Sequence, residues 1–277
     1  MIVAPLGSGS AGNSYYFEDG GTNILVDAGL GPRETKRRLA SVGASFDSLE
    51  AIVITHEHYD HIRGAESIAR KLGIPIHLTR GTLEASRINR AKTSTVIFEN
   101  NTTFRIGNLN IHARRTMHDA ADPACFVIEA GDGTRVGVAS DLGSVDRPVL
   151  SHLTNCDGLL FESNHDLDML RLGTYPWSLK RRIMSAYGHL SNDDAMAAVT
   201  RMIGASTSML CLIHLSEKNN HESIVRDLAS QLLRKVGARL DVQVARQSEP
   251  LGRLRVARRG VRSSMTPPLH VQMPLFS

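Results

Sequence analysis

The segment Thr55-His56-Glu57-His58-Tyr59-Asp60-His61 gathers four metal-ligand side chains directly behind an apolar, β-branched run. In an extended chain, residues two apart project to the same side, so His56 and His58 can clasp one ion. Asp60 and His61, at the start of a following helix, can reach a second. Neutral imidazole combined with carboxylate suits zinc, manganese or iron. No purely structural task requires all four groups at this spacing.

One segment cannot complete two such sites, so further ligands must come from elsewhere in the chain. Candidates are His118 in Met117-His118-Asp119, Asp141 in Ala139-Ser140-Asp141-Leu142-Gly143, His189 in Gly188-His189-Leu190-Ser191-Asn192, and His214 in Ile213-His214-Leu215-Ser216. Each stands where a strand should hand over to a loop, which is where sites in layered α/β proteins are built. Taken singly, each is more readily read as a packing or capping residue than as a ligand. His77, His112, His152, His221 and His270 lack that setting and read as structural or surface histidines.

These groups need elements to position them. Asn23–Asp27 and Ala51–Thr55 are β-branched runs ended by a polar residue, as strands require. Further strands are expected at Thr103–Ile106, Leu109–Ala113, Phe126–Glu129, Arg135–Ala139, Gly158–Phe161 and Met209–Ile213. Helical spacing marks Glu34–Val42 and Gly64–Leu72, the second closed by Gly73 and Pro75. Helices are also expected at Leu179–Ala186, Asp193–Ile203 and Glu222–Val236. Paired strands first, then strands alternating with helices, predict an α/β chain whose two sheets lie between helical layers.

The 277 residues suffice for one such domain without disulfides. The three cysteines, Cys125, Cys156 and Cys211, have no metal-type spacing and read as buried thiols of a reducing compartment. The N-terminus lacks signal-peptide character and no apolar run of about 18 residues occurs, so the expected location is cytoplasmic, with no membrane span. Net charge is +4, yet no acidic residue follows Glu249 while five arginines do. A basic end on a near-neutral body suits either a polyanion or a merely solvated tail. From about Ala257 the composition predicts a disordered segment, giving a domain over 1–256 and a tail over 257–277.

The H-x-H-x-D-H run occurs together with Gly7-Ser8-Gly9-Ser10-Ala11-Gly12-Asn13-Ser14, His118-Asp119-Ala120, Ser140-Asp141-Leu142-Gly143, Glu162-Ser163-Asn164-His165-Asp166, Gly188-His189-Leu190-Ser191-Asn192 and His214-Leu215-Ser216-Glu217-Lys218-Asn219-Asn220. Over about residues 1–256 this set resembles the metallo-β-lactamase fold family, and within it the YycJ/WalJ-like bacterial exonuclease branch. Tyr59 departs from the pattern, standing where a small residue is expected between the ligands. The resemblance implies an αββα sandwich with the site at one edge and two divalent metal ions, zinc or manganese. It implies that His56, His58 and His118 hold one ion and that Asp60, His61 and His214 hold the other, with Asp141 between. It further implies that His189 donates a proton to the leaving oxygen, oriented by Glu162. By that implication the catalytic set is His189, Glu162 and Asp60, and the activity is 5′-to-3′ cleavage of duplex DNA in replication or repair.

Two divalent cations opposed by two carboxylates leave a positive centre, which favours an anionic diester. Ser216, Asn219 and Asn220 are candidate phosphate contacts. The Ser8–Ser14 loop reads as either a phosphate cradle or a tight turn. Lys180, Arg181 and Arg182 read as either backbone contacts or a solvated helix face. At the end of the basic tail, Gln272, Leu275 and Phe276 (within 272–276) resemble the short peptide that docks on the bacterial sliding clamp. Two other classes stay open, a small-molecule hydrolase of the same fold (cyclic phosphodiesterase, thioesterase or lactonase) and a non-catalytic adaptor, and a tRNA-type ribonuclease is a variant of the nuclease reading.

Overall fold

The computed structural model describes residues 1–258. His270 and the peptide Gln272, Leu275 and Phe276 lie outside the described residues, as does the tail from 259 onward.

One sheet is built from β1 (Ile2–Gly7), β2 (Ser14–Asp19), β3 (Thr22–Val26), β4 (Ala51–Val53), β5 (Ile76–Leu78) and β6 (Thr95–Ile97). The other takes β7 (Thr103–Ile106), β8 (Leu109–Arg115), β9 (Ala124–Glu129), β10 (Arg135–Ala139), β11 (Gly158–Glu162), β12 (Met209–Ile213) and β13 (Asp241–Val244). A late strand, β14 (Leu254–Arg255), returns to β1 and completes the order β14-β1-β2-β3-β4-β5-β6 in the first sheet. The second sheet runs β13-β12-β11-β10-β9-β8-β7. The helices are α1 (Pro32–Ser41), α2 (Tyr59–Ile62), α3 (Ala65–Leu72), α4 (Arg80–Ala85), α5 (Arg147–Leu153), α6 (Leu167–Leu172), α7 (Trp177–Ile183), α8 (Asn192–Met202) and α9 (Glu222–Val236).

Alternation along the strands makes the layers. On β3, Ile24 and Val26 join the core between the sheets while Leu25 faces the cluster beneath α1 and α3. On β12, Cys211 and Ile213 point into that shared core, whereas Leu210 and Leu212 pack with Val199 of α8 and Val225 of α9. Both faces of each sheet are therefore buried, and each fully buried large aliphatic or aromatic side chain contributes about 1.5–3 kcal/mol. The result is the expected αββα sandwich. The three cysteines are unpaired and buried, and burial pushes each thiol up to about 12, where it is inert. Among the described residues, no helix is long and apolar enough to cross a membrane.

Both sheets follow one plan: antiparallel strands on one side, then parallel strands joined through helices. The parallel pairs are β3–β4–β5–β6 in the first sheet and β10–β11–β12–β13 in the second. Parallel strands deliver their C-terminal ends to the same edge, the usual position of sites in such sheets. Two expectations change in detail. The helix expected over Leu179–Ala186 spans Trp177–Ile183 instead, because the chain turns there and brings Gly188 against the Arg182 and Ile183 carbonyls. Strands β1, β2, β5, β6, β13 and β14 and helices α4, α5 and α6 lay outside the sequence-based assignment, most being too short to show a period.

Candidate metal centre

The first sheet supplies the contiguous segment. β4 ends at Val53, and the chain bends at Thr55 and reaches His58, which stands at the N-cap position of α2. The ligand atoms of His56, His58 and His118 lie within 4.8 Å of one another, as do those of Asp60, His61 and His214, and of His56, His61 and Asp141. His118 follows β8, Asp141 follows β10 and His214 follows β12. The four residues nominated singly from the sequence, His118, Asp141, His189 and His214, thus converge on the H-x-H-x-D-H segment.

The orientation of three of the imidazoles, those of His56, His61 and His118, has an identifiable cause. Asp27, at the end of β3, accepts from the Thr55 backbone and hydroxyl and lies 2.7 Å from His61 Nδ1. Thr55 Oγ1 in turn lies 2.9 Å from His56 Nδ1. The Gly188 carbonyl accepts from His118 Nδ1 at 3.1 Å. These bonds occupy one ring nitrogen and turn Nε2 inward, the arrangement expected around a metal. His56 Nε2 and His214 Nε2 are buried with no hydrogen-bond partner among the described residues, and Asp141 Oδ2 makes no hydrogen bond among them although it lies 3.0 Å from His61 Nε2. Buried polar atoms left unpaired cost free energy, so this donor set fits divalent cations.

Charge divides the centre. Burial, reinforced by His61, holds His56 well below the ordinary histidine range, and burial also lowers His118. Around His61, burial opposes charge, but Asp141 and Asp27 outweigh it and raise its pKa well above the ordinary value. His214 behaves likewise: burial works against it, yet Asp141, Asp60 and Glu162 bring it to about 10. Asp60, His61 and His214 thus bring a carboxylate of their own to the centre, whereas His56, His58 and His118 bring imidazoles alone.

Glu162, at the end of β11, is fully buried, and its oxygens are already committed. Oε1 lies 2.7 Å from His189 Nδ1 and 3.1 Å from His214 Nδ1, while Oε2 accepts from the Leu142 and Leu190 backbones. Burial alone would raise its pKa, but the two imidazoles, His189 foremost, bring it to about 2. Although Asp141, Glu162, His189 and His214 also cluster at ligand distance, a carboxylate so saturated orients its neighbours rather than binding an ion. His189 Nδ1 is held there and 3.6 Å from Asp141, while its ring lines an open cavity with Ser10, Asp119, Asn164, Arg182 and Ser216.

The phosphate candidates divide. Ser216 opens onto that cavity. Asn220 is buried, with Nδ2 donating to Ser163, Asn164 and Asn192 and Oδ1 accepting from His221 and Asn192, so it is spent on holding the β11 and β12 loops together. Asn219 is buried against Ser216. The Ser8–Ser14 loop is a scaffold: Ser8 accepts from the His214 backbone, and Asn13 Nδ2 reaches Asp60 Oδ2 at 3.2 Å and His61 Nε2 at 3.0 Å. Of the basic run, Lys180 is buried and donates to the Arg171 and Gly173 carbonyls, Arg182 pairs with Asp119 at 2.6 Å, and Arg181 is exposed.

Sequence reasoning missed Asn13, Asp27 and Thr55 as positioning residues. The available signal was their place beside a glycine-rich turn or at a strand end. It also gave no role to His165, which is buried with both ring nitrogens unpartnered among the described residues. His77, stacked on Phe104, His152, bonded to the His112 carbonyl, and His221, capping α9, all stand apart from the centre. Asp27, Asp141 and His214 each adopt φ between 56° and 60°. Such left-handed non-glycine residues concentrate where function constrains the backbone.

Comparison with known proteins agrees with this geometry. A beta-lactamase superfamily domain matches residues 22–215. Exodeoxyribonuclease WalJ of Streptococcus pneumoniae is 38% identical over 234 residues, covering 81% of this chain and 87% of that protein. Exodeoxyribonuclease YycJ of Bacillus anthracis is 34% identical over 235 residues, covering 84% and 89%. In fold, the chain is similar to the metallo-beta-lactamase fold protein YhfI of Bacillus subtilis, with a TM-score of 0.68, 19% identity and coverage of 90% and 98%. With its sandwich, its converging histidines and two relatives aligned over most of their length, the chain belongs to the metallo-β-lactamase superfamily, in the WalJ/YycJ exodeoxyribonuclease branch.

Proposed function

We propose that this protein is a two-metal exonuclease that removes nucleotides from 5′ ends of duplex DNA. The observation that carries the reading is the pairing of His189 Nδ1 with buried Glu162 at 2.7 Å, next to Asp141 and facing an open cavity. Hydrolysis of an ester with a good leaving group has no need of a positioned acid; expulsion of a sugar alkoxide does.

In this reading His56, His58 and His118 would hold one ion and Asp60, His61 and His214 the other, and Asp141, whose carboxylate lies near both groups, would serve as a ligand as well. Zinc and manganese both suit these ligands. When bound, such ions lower the pKa of water towards ~7 and neutralise charge on the phosphoryl group. The protein's own groups do the rest. Glu162, ionised and fixed by two backbone amides, keeps the His189 ring in one orientation with a proton on Nδ1. Nε2 then donates its proton to the leaving sugar oxygen. Asp27 and Thr55 fix the rings of His61 and His56, and Asn13 steadies the Asp60 carboxylate. Ser10 and Ser216, at the mouth of the cavity, offer hydroxyls to a non-bridging phosphate oxygen. The C-terminal peptide at 272–276 is proposed as a tether to the sliding clamp, which would keep the enzyme at replicating DNA.

The test is digestion of end-labelled duplex DNA with manganese, zinc or chelator. Metal-dependent release of nucleotides from 5′ ends, lost in His189→Ala, is the expected result. Absence of cleavage on any nucleic acid, with turnover of a thioester, would overturn it. For the tether, anisotropy of a labelled peptide spanning 268–277 should rise on adding clamp protein; a flat trace removes that partner.

A further inference from the structure

Tyr59 sits between two residues of the metal-ligand segment, His58 and Asp60, yet it takes no part in the core. As the first residue of α2 it projects outward, and it is 71% exposed. Arg63, one helical turn on, lays its guanidinium 5.4 Å from the centre of the Tyr59 ring, and Arg63 Nη2 is pinned by the Ala11 carbonyl at 2.9 Å. One face of the ring is thus backed by a fixed cation, while most of its surface stays open. Beside it lies a cavity of about 370 Å³ lined by Glu57, Tyr59, Ile62, Arg63, Ala85 and Arg87 among others. That size falls at the small end of the ~300–1,000 Å³ typical of small-molecule sites.

The lining selects its occupant. Glu57 and Glu66 stand against Arg63 and Arg87 around the wall, and Glu66 also faces Arg70, so charge alone selects no anion, whereas Ile62, Ile88 and the Tyr59 ring favour a flat, uncharged ring system. Arg87 is exposed and makes no ion pair among the described residues, so it can follow the phosphates that flank such a ring. Stacking on aromatic and guanidinium planes accepts every nucleobase. Resting on the nuclease reading above, we infer that Tyr59 and Arg63 form a stacking platform for an unpaired nucleobase next to the scissile phosphate. A base stacked there has left its partner strand. The enzyme therefore works on a frayed end, and a DNA end with its last base unpaired should be cut faster than a fully paired one.

The experiment compares wild type, Tyr59→Phe and Tyr59→Ala on duplex DNA whose terminal nucleotide is unpaired, paired, or abasic, with metal content and thermal unfolding measured for each protein. For Tyr59→Ala, KM on the unpaired end should rise about 5- to 150-fold with kcat little changed. Tyr59→Phe should behave as wild type, and the abasic substrate should not distinguish the three proteins. Equal losses on intact and abasic ends, or an unchanged KM for Tyr59→Ala while wild type digests DNA, would overturn the platform and leave the nuclease reading standing. Failure of wild type to cut any DNA would instead remove the reading on which the platform rests.

Discussion

The two sheets share a plan but supply the centre in different ways. The first delivers His56, His58, Asp60 and His61 from one turn behind β4, and their supports Asn13, Asp27 and Thr55 come from the same sheet's strand ends and loops. The second delivers His118, Asp141, Glu162 and His214 one at a time, from the ends of β8, β10, β11 and β12, and His189 from the loop between α7 and α8. On the first side, geometry is fixed by covalent neighbours; on the second, by strand order and register. A local error should therefore disturb the whole first side at once, whereas the second side can lose one function at a time.

Gly29→Ala tests the first half of that statement and should have the largest effect. A Cβ there would fall 1.7 Å from the Asp60 carbonyl oxygen and 2.6 Å from the Asn13 amide nitrogen, both backbone atoms. The variant should lose metal content and unfold at lower temperature than wild type. A normally loaded, fully active Gly29→Ala protein would show that the turn can shift without disturbing its ligands.

His189→Ala tests the other half. Cleavage should fall about 100- to 10,000-fold, while metal content measured by atomic emission stays at the wild-type level. If metal were lost along with activity, His189 would be a ligand and the separability of the second side would fail.

Asp27→Asn is a smaller perturbation. It keeps an acceptor for the Thr55 amide but removes the charge facing His61 Nδ1. Metal affinity should drop about 10- to 100-fold, with activity recovered at raised metal concentration. Persisting inactivity at saturating metal would mean that Asp27 does more than orient ligands.

The smallest effect is shared between the sheets. His77 in the first and His152 against the second are each lowered by burial from 6.5 to about 4. In the unfolded chain they take up protons first as the pH falls, so the stability they allow is full above about 6.5 and is lost as pH drops towards 4. Urea midpoints should decline across that window, and His77→Phe, which keeps the stacking on Phe104, should flatten part of the decline. Equal slopes in the two proteins would exclude His77 as a contributor.

Residue order alone carries the layers and the candidate ligand set. The H-x-H-x-D-H spacing is a covalent constraint, and a β-strand's period of two writes its buried face directly into the residue order, as Ile24, Leu25 and Val26 demonstrate. The tertiary structure alone decided which distant residues meet. A strand-end setting marks His214 as a candidate and sets His152 apart, but nothing local shows that His214 meets His61 and Asp60, or that Asn220 is spent on loops while Ser216 opens onto the cavity. Those outcomes depend on which strands lie next to each other, and strand order is set by burial of whole faces over the entire chain. Asp27 makes the point most sharply: its place at a strand end was readable, but its hold on His61, and through Thr55 on His56, follows only from the parallel pairing of β3 with β4.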